Sequence, residues 1–85
     1  MAWDEDHARR LGAAIRRIRH KRGLSQEAVA FPAGVTHNQF QLIENGKQSS
    51  RMGSVSPSNP QLATITGIAE VLGVSVAELL AEAGL

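Results

Sequence analysis

The stretch LSQEAVAFPAGVTHNQFQLIENGK, residues 24–47, decides the fold. Ser25 is a good N-cap with Glu27 close behind it, and Val29 and Ala33 fall on one side of the helix they open. Ala30 is small where one helix has to approach another closely. Gly34 can take a positive φ at no steric cost, as a tight turn requires. Thr36 then caps a second helix, 37–45, which Gly46 ends. With about 100° between successive residues and Phe40 set inward, Thr36, Ile43 and Glu44 lie within about 60° of it. Asn38, Gln41, Leu42 and Asn45 point away, and His37 sits at the tip on the boundary. Val29, Ala33, Val35, Phe40 and Ile43 are apolar where these two helices and a third element meet. Pro32 is discordant. It removes the bond to the Ala28 carbonyl and disfavours helical geometry at Phe31, so the first helix is expected to kink or end early.

Outward from this stretch the chain reads as helix throughout. From Asp4 to Arg22, Leu11, Ile15 and Ile18 recur at helical spacing, with Ala8 and Ala14 flanking the stripe. Asp4, Glu5 and Asp6 suit the positive end of a helix dipole and Arg19, Lys21 and Arg22 its negative end, with Gly23 just beyond. Residues 47–59 lose all periodicity and fill with turn formers, a loop. Asn59-Pro60 opens a fourth helix whose buried face is Leu62, Ile65, Ala69 and Leu72, with Gly67 costing about 1 kcal/mol inside it. Ser75 caps a fifth, carrying Val76, Leu79, Leu80 and Ala83, before Gly84. No convincing period-two alternation and no internal repeat occur. The expectation is a single all-α domain over 1–85 with five helices and an extended loop between the third and fourth.

Composition narrows the function. Eighty-five residues, 42% apolar and 20% charged, suit one small globular domain that would gain from pairing with a second copy. The absence of cysteine excludes a disulfide scaffold and thiolate metal sites. No apolar run is long enough to span a bilayer and no signal-peptide pattern opens the chain, which points to a cytoplasmic protein with no membrane partner. His7, His20 and His37 lack metal-ligand spacing, and neither a Ser–His–Asp arrangement nor a glycine-rich phosphate loop is present. An enzyme, a cofactor and a small-molecule substrate are therefore not expected. The net charge is +1, yet residues 1–52 hold all nine Lys and Arg against five acids, while 53–85 hold three acids and no cation. Such asymmetry suits a polyanion on one face, though a solvated helix face accounts for the arginines equally well.

Residues 25–46 amount to a helix-turn-helix, whose second helix can lie in a DNA major groove. With LGAAIRRIRHKRGLSQEAVA before it, AGVTHNQFQLIENGK within it and NPQLATITGIAEVLGVSVAELL after it, the chain resembles the Xre/Cro-type regulators, the lambda-repressor-like domains, over about residues 11–82. That resemblance implies a compact five-helix DNA-binding domain. It places base reading on Thr36, His37, Asn38 and Leu42. Asn38 can pair bidentately with adenine and His37 can donate to or accept from a base edge. Leu42 departs from the family, where a polar residue is usual. It either meets a thymine methyl or packs against the inserted loop.

The same resemblance makes Gln26, at the start of the second helix, a phosphate ligand, and sets Asn45 and Lys47 on a phosphate at the other side. Gln41 on the outward face and Arg51 in the loop join that set. Glu44 faces inward and by resemblance pairs with Arg19, a structural ion pair. The implied function is sequence-specific transcriptional regulation by a homodimer on a two-fold-symmetric operator, with Val76, Leu79 and Leu80 as its natural dimer surface; plain core is the other reading of those three. The alternative is an antitoxin or protein-interaction module of the same fold, acting through a toxin or another regulator. Trp3 packs on the domain, on a partner, or hangs in solvent.

Overall fold

The computed structural model describes residues 2–47 and 57–85. They form α1 (Glu5–Lys21), α2 (Gln26–Ala33), α3 (His37–Glu44), α4 (Leu62–Leu72) and α5 (Val76–Glu82). The expected all-α order is present, with α1 and α3 each stopping one residue short because Arg22 and Asn45 are their C-caps.

Four of the starts are fixed by side chains written into the sequence. Asp4, Ser25, Thr36 and Ser75 each accept the backbone N–H three residues on, all at 3.0 Å. The helices then end at glycines in the left-handed region. At Gly46 (φ +70°), for example, Gly46 N–H donates to Ile43 O and Lys47 N–H to Leu42 O, closing α3 with two bonds.

Two expectations fail at α4 and one at α2. Helix α4 begins at Leu62 rather than at Asn59-Pro60, and its cap Gln61 makes no side-chain capping bond. The chain is not free to coil earlier: Ser58 N–H donates to Gly46 O (3.1 Å), Lys47 and Pro57 form an antiparallel bridge, and the Trp3 indole N–H donates to Ser58 O. This tie seats Trp3 on the domain, its ring stacked on His7 at 5.6 Å. Leu62, at the first turn of α4, is 72% exposed, while Ile65, Ile68, Ala69 and Leu72 bury the helix. Pro32 does not break α2, which runs on to Ala33. It stands exposed one residue from the end, and the orphaned Ala28 carbonyl belongs to an exposed residue.

Packing rests on places where backbones nearly touch, two of them at glycines inside helices. A Cβ on Gly12 would lie 2.4 Å from the carbonyl oxygens of Ile43 and Glu44, so α1 and α3 cross without room for a methyl group. On Gly67 it would lie 3.1 Å from Ala33 O, so this mid-helix glycine lets α4 lie against α2 rather than merely weakening it. Phe40, Ile15, Ile68, Leu72, Leu79 and Val29 fill the space between. Leu79 is thus core, with Val76 and Leu80 half-buried beside it.

Part of the charge asymmetry is consumed within the fold, where Glu82 of the acidic half meets Arg17. Arg17 Nη2 donates to Glu82 O (2.9 Å) and its Nε faces Glu82 Oε1 (3.3 Å), while Arg10 reaches Gly84 O at 3.5 Å. Arg9 and Arg10 also pair with Asp6, one turn back on α1. Much of the basic segment therefore faces acids of its own chain.

Gly12→Ala is expected to destabilise the domain by about 1–3 kcal/mol, the usual cost of overpacking, despite alanine's better helix propensity. Urea unfolding measures it; an unchanged or raised midpoint would show that α1 and α3 can separate freely.

Candidate nucleic-acid interface

The orientation of α3 is set by one buried carboxylate. Glu44, 4% exposed, accepts Arg19 Nε at 2.6 Å and Arg19 Nη2 at 3.1 Å in a bidentate pair. Arg19 in turn gives Nη1 to Leu24 O at 3.0 Å, so the same guanidinium holds the link between α1 and α2. Gln26 Nε2, from the first residue of α2, donates to Glu44 Oε1 at 2.9 Å. Arg16 Nε stands 3.6 Å from that oxygen. Burial alone would raise the Glu44 pKa; the hydrogen bonds from Arg19 and Gln26 and the charges of Arg19 and Arg16 outweigh it and hold the carboxyl below its ordinary value.

This node reaches the tip of α3 through Gln26. A carboxylate only accepts, so the amide nitrogen of Gln26 is committed to Glu44 and its oxygen faces outward. That oxygen lies 2.9 Å from His37 Nε2, which therefore carries a proton and donates. His37 Nδ1 is left 3.7 Å from Glu27 Oε1. With Nε2 donating to Gln26, Nδ1 is the ring nitrogen left to accept.

Thr36, His37, Asn38, Gln41 and Asn45 are all exposed along α3, and Thr36 also caps it through Gln39 N–H. Leu42 is half-buried and lines the groove between α3 and the start of α4 with Val35, Gln39, Lys47, Pro60 and Thr64. Gln26, half-buried, has both ends of its amide engaged. Asn45 Oδ1 accepts from Arg16 Nη2 at 2.8 Å, and Lys47 is exposed just beyond, at the bridge with Pro57. Arg51 lies outside the described residues. The structure thus gathers a polar ridge from His37 to Asn45 with a cationic end at Arg16 and Lys47. The sequence alone does not single out Arg16 from the other arginines of α1. Its signal was spacing: Gly12, Arg16 and Arg19 fall at i, i+4 and i+7, one stripe of α1, and that stripe faces α3.

Among the described residues no group of three or more His, Asp or Glu is arranged to hold a metal ion, and no single helix is long and apolar enough to cross a membrane.

The helix-turn-helix domain family matches residues 10–82. The cryptic phage CTXphi transcriptional repressor RstR of Vibrio cholerae is 37% identical over 68 residues, which are 80% of this chain and 52% of RstR. The chain therefore spans about half the length of that curated relative. The restriction-modification controller protein C.AhdI from Aeromonas hydrophila superposes with a TM-score of 0.70 at 28% identity, over 85% of this chain and 94% of C.AhdI. The clp gene regulator ClgR from Corynebacterium glutamicum shares the fold at a TM-score of 0.78 and 24% identity, over 92% of this chain and 72% of ClgR.

Because Glu44 is held low in the folded state, its contribution is fully present above its ordinary value of 4.5 and is lost as the pH falls through the lowered value. Glu44→Gln is expected to cost about 3–5 kcal/mol at neutral pH by stranding Arg19. It should also shrink the loss of stability between neutral pH and about pH 3. Urea unfolding at both pH values tests this, and a wild-type pH response in the variant would place the acid sensitivity elsewhere.

Proposed function

This chain belongs to the helix-turn-helix domain family, and on that footing we propose that it is a sequence-specific regulator of transcription that binds duplex DNA as a homodimer on a two-fold-symmetric site. The observation that carries the reading is the ridge on α3: exposed hydrogen-bonding side chains from His37 to Asn45 on a helix immobilised by the Arg19–Glu44 pair and the Gly12 crossing. Such a ridge meets base edges in a major groove without first having to be ordered. RstR being a transcriptional repressor supports the same reading.

Within it, Asn38 reads adenine. His37, its Nε2–H held by Gln26, offers Nδ1 to an exocyclic amine of adenine or cytosine. Thr36 and Leu42 complete the reading set, Leu42 through a thymine methyl at the rim of its groove. Gln26, Gln41, Asn45, Lys47 and Arg51 serve the phosphates. Since the Gln26 amide is engaged on both sides, the phosphate at the start of α2 is met by backbone N–H groups of its first turn. The two recognition helices then enter grooves about 34–36 Å apart.

A protein-binding role, as in an antitoxin, has one observation in its favour. Phe31 is 87% exposed on α2, beside Ala28 and Val35 in a shallow depression next to the tip of α3. An aromatic ring so placed suits a protein surface better than water.

Selection of random duplexes on the purified protein at near-physiological salt tests the proposal. A palindrome with half-sites one helical turn apart is the expected result; sequence-blind binding that vanishes with salt, alongside a stably co-purifying protein, favours the second role. On the selected duplex, Asn38→Ala is expected to cost about 1–3 kcal/mol and relax one base position, whereas Lys47→Ala weakens all duplexes alike and lowers the salt slope by about 1. Identical behaviour of the two variants would refute the division into reader and anchor.

A further inference from the structure

Arg16 is the α1 cation that the fold turns toward the end of α3. Arg10 and Arg17 reach the C-terminal helix region, Arg19 is sealed against Glu44, and Arg9 pairs with acids on its own helix. Arg16 Nη2 instead lies 2.8 Å from Asn45 Oδ1, and its Nε approaches Glu44 without reaching hydrogen-bond distance. The carboxylate is already satisfied by three shorter bonds from Arg19 and Gln26. One buried negative charge thus faces two guanidinium groups. Arg19 balances it, and Arg16, whose side chain is 45% exposed, keeps its charge for whatever lies outside.

The bond to Asn45 also decides what that amide can do. A guanidinium carries only donors, so the Asn45 atom it contacts must be the oxygen. The Asn45 NH2 group is thereby directed away from Arg16, with Asn45 exposed. A phosphate oxygen only accepts. An asparagine free to flip presents its oxygen to a phosphate part of the time, whereas one held by Arg16 presents donors.

Resting on the DNA-binding reading above, the geometry points to Arg16 and Asn45 acting as one phosphate clamp: Arg16 supplies the charge and fixes the Asn45 amide as a donor to the same backbone phosphate. Arg16 is in this sense both a phosphate ligand and the positioning residue for Asn45. It joins the cationic end of α3 that Lys47 continues, and none of the base-reading residues is needed for it.

The test is a double-mutant cycle on duplex DNA, with dissociation constants for wild type, Arg16→Ala, Asn45→Ala and the double variant over a range of salt. Arg16→Ala should weaken binding about 10-fold or more, as loss of a charge-assisted hydrogen bond does, and flatten the slope of log K against log salt by about 0.9. Asn45→Ala should weaken binding with the slope unchanged. The double variant should lose much less than the product of the two single losses, because Asn45 no longer works once Arg16 is gone. Arg16→Lys, which keeps the charge at an exposed position, should retain the wild-type slope. It supplies the reading if Arg16→Ala proves unfolded by circular dichroism. Additive losses would overturn the clamp, and so would a wild-type slope in folded Arg16→Ala. Wild-type protein that binds no duplex overturns the DNA reading itself, and the clamp with it.

Discussion

Three helices converge on the Glu44 carboxylate, and the rest of the molecule is arranged to make that burial tolerable. A lone ionised carboxylate in the interior is costly. Here Arg19 from α1 meets it with two bonds, Gln26 from α2 with a third, and Arg16 adds charge from one turn away. The two arginines of α1 are brought within reach where the backbones of α1 and α3 meet at Gly12. The ion pair and the missing side chain are thus one device. The glycine permits the approach, and the charges give it a unique orientation that apolar packing alone would leave freer to slide.

The consequence for α3 is that its outward face is specified from within. Polarity runs in a fixed sense from Arg19 through Glu44 and Gln26 to His37, each group's donor or acceptor role dictated by the one before it. At the other end Arg16 does the same for Asn45. Two surface side chains at opposite ends of a two-turn helix therefore present chosen hydrogen-bonding faces, and the choice is made by neighbours on other helices.

What the sequence disclosed follows from how local each signal was. Caps at Ser25, Thr36 and Ser75 and the glycine stops were legible because a capping bond spans three residues and a left-handed turn depends on one. The inward face of α3 followed from its period. Contacts between distant residues were not legible. Leu62 fits an apolar stripe, yet the first turn of α4 overhangs the core because residues 57–58 are drawn toward Gly46 and Trp3. Gly67 read as a weakness and is a point of contact with Ala33. The arginine-rich segment read equally as a surface for a polyanion and as a solvated helix face, whereas Arg10 and Arg17 are engaged by α5 and the turn after it. Of the site, the ridge on α3 was visible, while Arg16 was hidden among similar neighbours until Asn45 and Glu44 singled it out.

The seat of Trp3 has an optical consequence. The chain has one tryptophan and no tyrosine, so its near-ultraviolet emission is governed by a single indole, stacked on His7 and bonded to Ser58 O. That ring reports whether the segment before α4 is docked on the start of α1, at a distance from the Glu44 node. Its signal and the helical circular dichroism therefore watch different parts of one molecule. If the two change together on heating, the docked segment and the helices melt as one unit. If the fluorescence changes first, the segment is a separate, weaker unit that opens while the helix-turn-helix remains intact.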